Sequence, residues 1–192
     1  MNNLFKDYKH NQNFTELIHY KLGYKLYHIL HHKNHPNLII SGIHNSGKTL
    51  LIKTILNDLF STNNSLRKES LFDNIYYEKS NYHYYFDLKL INNNFKILIL
   101  IKKIINSYNY YTNKYNYIIL DNYEYLNDTI QNKLKVIFEK SVLTSKIIII
   151  TNKYNKVISP IKSRFLNIRI PSHNSVDKFI YFRKLLLRNL FI

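Results

Sequence analysis

Eight consecutive residues, Gly42-Ile43-His44-Asn45-Ser46-Gly47-Lys48-Thr49, carry the chemistry that the rest of the chain has to position. Their G-x-x-x-x-G-K-T spacing is that of a phosphate loop. Gly42 and Gly47 permit dihedrals and close backbone approaches that a Cβ would obstruct, so successive N–H groups can turn inward onto one anion. A helix starting at the end of the loop adds its positive end to the same concavity. Lys48 is placed to reach the β- and γ-phosphates of a nucleotide, and Thr49 to offer its hydroxyl to Mg²⁺. The flanks supply what such a loop needs. Asn37 to Ser41 reads as a short apolar strand, and Thr49 to Phe60 as an amphipathic helix.

A second nucleotide-site signature follows about 70 residues later, where the apolar run Tyr117 to Leu120 closes on Asp121. In a phosphate-loop fold that carboxylate holds Mg²⁺ through water. The elements between and around these signatures alternate. A helix is expected over Phe14 to Leu30, with Thr15 as a possible start, and an aromatic-rich strand over Asn81 to Leu88. The helix Phe95 to Ser107 is apolar on more than one side, which predicts burial between layers or against another subunit. Asn127 or Asp128 caps a helix running to about Lys140. Ser145 to Asn152 is near-continuously apolar, as a central parallel strand should be. Phe165 to Ile170 is a further strand and Val176 to Leu190 a final amphipathic helix. Ser61 to Lys79 reads as connection and variable surface. The pattern predicts an α/β fold, a three-layer P-loop NTPase domain with a mostly parallel five-stranded sheet.

A chain of 192 residues is one domain of ordinary size. The net charge of +16 predicts an acidic partner or surface. Its weight is reduced by the abundance of Asn, Ile, Lys and Tyr, all encoded by AT-rich codons. The absence of cysteine excludes disulfides, thiolate zinc sites and cysteine nucleophiles. No uninterrupted 18-residue apolar stretch is present, so neither a membrane span nor a membrane partner is expected. His28, His31, His32 and His35 cluster without a carboxylate or thiolate anchor and read as solvated histidines.

Beyond these readings, a set of motifs keeps its spacing from Tyr117 to about residue 171. It comprises Tyr117-Ile118-Ile119-Leu120-Asp121-Asn122-Tyr123-Glu124, Gln131 to Leu134, Phe138-Glu139-Lys140, Lys146 to Asn152, and Lys156 through Ser163-Arg164-Phe165. This stretch resembles the AAA+ ATPase domain of the small subunits of replication factor C, the sliding-clamp loader. The resemblance extends over about residues 12 to 180. Ser80-Asn81-Tyr82-His83 also resembles the branch of those subunits found at the end of the loader arc. The resemblance implies that Asn152 is a sensor of the γ-phosphate and that Arg164 is an arginine finger acting in trans on a neighbouring subunit's ATP. It divides the chain into a flexible N-terminus (1–13), an ATPase-like domain (14–172), and a helix resembling the start of a lid domain (173–192), with truncation after that point. Its implied partners are other clamp-loader subunits, a sliding clamp and primer–template DNA. Candidate DNA contacts by position are Lys96, Lys102, Lys103, Lys133 and Lys135.

The chain departs from the family where a glutamate should polarise the attacking water, because Asn122 stands there. An amide cannot accept that proton. Glu124 lies two residues further on, within a strand-to-loop turn, as an alternative carboxylate. The resemblance therefore implies an ATP-binding subunit that is weak in hydrolysis, acting in a nucleus, a reduced endosymbiont nucleus or a viral replication compartment. Two other readings stand beside it, a non-catalytic nucleotide-gated scaffold and an autonomous P-loop NTPase unrelated to clamp loading.

Overall fold

A computed structural model describes residues 15, 17–32, 34–60, 67–71, 75–91, 94–107 and 115–189. The expected flexible terminus (1–13) and most of the tyrosine-rich link after Ser107 lie outside these residues. The elements in chain order are α1 (Tyr20–His31), β1 (Leu38–Gly42), α2 (Lys48–Leu59), β2 (Arg67–Leu71), β3 (Ile75–Lys79), β4 (His83–Asp87) and α3 (Asn94–Ile105). They continue with β5 (Asn116–Asp121), α4 (Asp128–Lys140), β6 (Ser145–Thr151), α5 (Ser159–Lys162), β7 (Leu166–Ile170) and α6 (Ser175–Asn189). They fall into two compact units, one of residues 36–42 and 64–169, the other of 1–35, 43–63 and 170–192.

The first unit is built on one sheet of order β2-β3-β4-β5-β6-β1-β7. β4, β5, β6 and β1 run parallel, whereas β2, β3 and β4 are joined antiparallel. The five strands expected from the sequence are all present as β4-β5-β6-β1-β7. The sheet is nevertheless seven-stranded, because β2 and β3 occupy the stretch expected to be connection. β3 alternates, with Ile75 and Tyr77 buried and Tyr76 exposed, a pattern that polar neighbours obscure in the sequence. All residues of β5 and β6 are buried, as befits parallel strands covered on both faces.

The helices of this unit follow their apolar spacing. Asn127 caps α4 by accepting the Ile130 N–H at 3.0 Å, and Ile130, Leu134, Ile137 and Phe138 turn inward. α3 buries Ile97, Leu98, Leu100, Ile101, Ile104 and Ile105 in the same core, and α3 and α4 pack together. Ile99 and Phe95 remain exposed, so the predicted burial of α3 is incomplete. Phe165 is buried beside Phe138, with ring centroids 5.7 Å apart.

In the second unit, α1 packs on α2, with Leu26, Leu30, Leu51, Ile52, Ile55 and Leu56 buried. α1 begins at Tyr20, five residues after the expected start. His28, His31 and His32 are exposed as expected, but His35 is buried. Among the described residues no group of three His, Cys, Asp or Glu could hold a metal ion. No described helix is long and apolar enough to cross a membrane. α6 exposes Val176, Phe179, Ile180 and Phe182.

His19 and His173, far apart in sequence, stack in this unit with centroids 4.4 Å apart and planes 25° apart. The His173 ring lies 3.9 Å from where a Cβ on Gly47 would sit. Burial and then the neighbouring imidazole push His19 below its ordinary value of 6.5. Burial and then Lys178 lower His173, and Asp177 acts in the opposite sense on both.

Two stability outcomes follow from these contacts. Gln131 is fully buried and donates to the Leu126 and Lys156 carbonyls at 3.0 and 2.8 Å while accepting the Ile158 N–H at 3.1 Å. Gln131→Leu strands those backbone groups, so urea denaturation should show a loss of about 2–3 kcal/mol; an unchanged midpoint would refute this role. For the histidines, a folded-state pKa below the unfolded one means that acidification protonates the unfolded chain first. Stability should thus fall as pH drops through about 6.5. Melting curves between pH 8 and 5.5 should lose part of this slope in His173→Phe, and an identical slope would contradict the assignment.

Candidate nucleotide site

Gly42 closes β1, and the backbone from Ile43 to Gly47 turns directly into α2. Two residues there take left-handed dihedrals, Asn45 with φ 58° and Gly47 with φ 81°. Asparagine and glycine are the residue types that tolerate this region best, which explains both positions. Ser46 N–H donates to the Ile43 carbonyl at 3.3 Å and Leu51 N–H to the Gly47 carbonyl at 2.9 Å, so loop and helix form one continuous turn. Lys48 is buried, and its ammonium curls back to donate to the Ile43 carbonyl at 2.6 Å and to Ser46 Oγ at 3.3 Å. Ile43, His44 and Asn45 form the exposed rim. A cation folded over a glycine turn at the start of a 12-residue helix fits a polyphosphate. Lys48 and Thr49 are the residues of this loop that would hold the phosphates and Mg²⁺.

Three of the other predicted site residues, Asp121, Asn122 and Asn152, gather at the C-terminal edge of the sheet. Asp87 and Asp121 are register partners at the ends of β4 and β5, and Ser41 and Thr151 at the ends of β1 and β6. Asp121 is buried; its Oδ2 accepts the Tyr85 hydroxyl at 2.8 Å and its Oδ1 the Asn122 N–H at 2.7 Å. Burial and the Asp121 carboxylate raise the Tyr85 hydroxyl well above its ordinary value, so it remains a donor. A carboxylate fixed in this way suits water-mediated support of a metal ion.

A polar chain then runs across the strand tips. Asn122 Nδ2 donates to Asp87 Oδ1 at 2.7 Å, and Asn152 Nδ2 donates to Asn122 Oδ1 at 3.4 Å and to Glu124 Oε1 at 2.7 Å. Glu124 Oε2 accepts the Thr151 hydroxyl at 2.7 Å and the Asn152 N–H at 3.2 Å. Glu124 therefore does reach the edge, but both oxygens are committed. Burial alone would raise its carboxyl; hydrogen bonds from Thr151, its own backbone and Asn152 outweigh that and hold it below its ordinary value. Such a carboxylate is a weak proton acceptor. Asn122 itself has φ 56° and ψ 43°, ahead of the turn Tyr123–Tyr125. Left-handed backbone favours asparagine over glutamate, which gives the departure at this position a local structural reason.

Arg164 lies on the surface of the sheet-based unit. Its Nε meets Glu139 Oε1 at 3.0 Å and its Nη1 donates to the Pro160 carbonyl at 2.8 Å. The predicted DNA-contacting lysines occupy the packed pair α3 and α4. Lys102, Lys103 and Lys133 are exposed, whereas Lys96 and Lys135 are half-buried. Lys133 Nζ stands 4.4 Å from the Phe95 ring centroid, and Lys135 Nζ is 4.0 Å from Glu139. Sequence reasoning missed Tyr85 and Asp87. No sequence signal marked them; they stand out only once β4 is paired in register with β5.

No family model matches the chain. A candidate replication factor C small subunit of Acanthamoeba polyphaga mimivirus is 29% identical over 152 residues, covering 71% of this chain and 40% of that protein. Among solved structures, a DNA polymerase III gamma subunit-related protein of Thermotoga maritima superposes with a TM-score of 0.60 at 14% identity, covering 80% of this chain and 47% of its own. The Orc1 protein of Aeropyrum pernix, solved in complex with DNA, gives a TM-score of 0.60 at 15% identity over 90% of this chain and 49% of its own. RuvB of Thermotoga maritima gives 0.51 at 13% identity over 79% and 43%. The chain thus spans 40% of the curated relative and about half of each structural one. Its phosphate loop, mostly parallel sheet and structural relatives establish the fold of an AAA+ P-loop NTPase, and its sequence is weakly similar to a replication factor C small subunit.

Proposed function

We propose that this chain is an ATP-binding subunit of a replication factor C-like clamp loader, which helps load a sliding clamp onto primed DNA. The observation that carries the reading is the joint presence of the phosphate loop, with Lys48 turned over it, and similarity to the mimivirus protein over 152 residues. Lys48 binds the β- and γ-phosphates, and Thr49 and Asp121 support Mg²⁺, which would neutralise phosphate charge. Asn152 orients the polar chain that reads the γ-phosphate. Hydrolysis is weak because Asn122 replaces a carboxylate and Glu124 is committed to Thr151 and Asn152. Arg164 acts in trans. Its planar guanidinium leaves Glu139 and the Pro160 carbonyl to stabilise charge on a neighbouring subunit's transferring phosphate. The site of action is wherever the genome is replicated, a nucleus or a viral replication compartment.

A second reading, a nucleotide-gated scaffold that never hydrolyses, is favoured by the committed oxygens of Glu124. Turnover separates the readings. Lys48→Ala should weaken binding of a fluorescent ATP analogue at least about ten-fold. Arg164→Ala should lower ATP turnover of the assembled loader at least about a hundred-fold while leaving this chain's own nucleotide affinity unchanged. Turnover by the isolated chain that needs Lys48 but is indifferent to Arg164 in the assembly would instead identify a free-standing NTPase.

Contacts to DNA belong to the exposed lysines of α3 and α4 and follow phosphates rather than bases. Neutralising Lys102, Lys103 and Lys133 together should flatten the slope of log affinity against log salt by about 3 for primed duplex, at about 0.9 per phosphate contact. An unaltered slope would remove this face from the DNA path.

A further inference from the structure

A loop that binds a polyphosphate has to balance several negative charges, and residues 42–49 carry one lysine, the buried Lys48. Two imidazoles lie against this loop within the same compact unit. His173, between β7 and α6, sets its Nε2 3.9 Å from where a Cβ on Gly47 would sit. The His19 ring stacks on it, with centroids 4.4 Å apart and planes 25° apart. His19 Nε2 and His173 Nδ1 are buried and have no hydrogen-bond partner among the described residues. In an imidazolium both nitrogens are donors, so a proton added to either ring leaves a buried N–H without an acceptor. The charges around the pair oppose one another. Asp177 on α6 favours the charged form of both rings, and Lys178 disfavours it on His173. Lys48 and the exposed His44 belong to the loop, and Tyr20 and Lys21 at the start of α1 are exposed. Burial, first among the causes on both rings, tips the balance to the neutral form.

We infer that the stacked His19 and His173 are a proton-binding element of the phosphate loop, neutral in the free chain and taking up one proton from solvent when the loop binds a nucleotide polyphosphate. This rests on the reading of residues 42–49 as a nucleotide site. An oxyanion held at the loop attracts a positive charge on the neighbouring imidazoles, in a partly buried setting where salt screens the attraction little. Stacking limits the uptake to one proton. A cation on one ring lies over the face of its neutral partner, whereas two cations with centroids 4.4 Å apart repel. The sign follows from linkage. Because binding takes up a proton, affinity rises as pH falls from 8 towards the range, below 6.5, in which the pair of the free chain begins to protonate.

The test is calorimetry of ADP binding to the full chain, with Mg²⁺ to keep the ADP phosphates ionised. Titrations at about pH 7 in PIPES and in Tris, buffers of different ionisation heat, count the protons exchanged. Wild type should take up about 0.4 proton per ADP, and its Kd should fall about three-fold between pH 8 and pH 6.5. Phenylalanine keeps a flat ring in the stack and cannot be protonated. The double variant His19→Phe/His173→Phe, which retains His44, should lose this uptake and the pH slope that goes with it. His173→Phe alone should lower both, and gives the same comparison in a chain with a single change. Proton counts and pH slopes equal to wild type in both variants, with ADP still bound, overturn the linkage and leave the nucleotide site standing. Wild-type binding without proton uptake does the same. Failure of wild type to bind ADP at any pH, or binding indifferent to Lys48→Ala, defeats the linkage together with the reading on which it rests.

Discussion

Strands buried on both faces leave polar side chains few places to stand except the strand ends, and this constraint organises the sheet-based unit. β5 and β6 have no exposed residue, and β1 is buried through Ser41. Because β4, β5, β6 and β1 are parallel, their C-terminal ends share one edge. Asp87, Asp121 and Thr151 stand on that edge, and Gly42 opens into the phosphate loop from it. Ile147 to Ile150 and Ile118 to Leu120 supply the apolar interior that holds these tips in register.

The edge is satisfied as a network. Asp87, Asn122, Asn152, Glu124 and Thr151 are linked across three strand ends by side-chain hydrogen bonds of 2.7 to 3.4 Å. In a partly buried setting each unsatisfied member would cost more than its bond contributes, so the members constrain one another. Asn152 thereby links Glu124 and, through Asn122, Asp87. Asn122 therefore bears on the whole edge as well as on its own position.

Electrostatics act differently on the outer surface. Arg164 is held by Glu139 and a carbonyl but stays half exposed, a pairing weak enough to be exchanged for a better anion. Among the lysines of α3 and α4, Lys133 sets its ammonium 4.4 Å from the centroid of the exposed Phe95 ring, a cation–π contact at the surface.

The sequence by itself determined the phosphate loop, the strand ending in Asp121, the helix capped at Asn127 and the apolar run of β6, because each depends on local periodicity or on glycine, lysine and cap residues at short spacing. It also placed Asn122, Asn152 and Arg164 through spacing that resembles a known family. Only the tertiary structure decided what those residues meet. Asp87 closes an aromatic strand with nothing nearby in sequence to mark it, and it gains meaning only through its register with Asp121. β2 and β3 were not legible, since β3 alternates buried Ile75 and Tyr77 with exposed Tyr76 among polar neighbours that resemble a loop, and the antiparallel pairing of the two strands is not local. His19 and His173 stack across 154 positions of chain, a contact that no local pattern encodes. Local chemistry is written in adjacent residues, whereas register and long-range packing depend on which surfaces are buried together, and that is settled only when the chain folds.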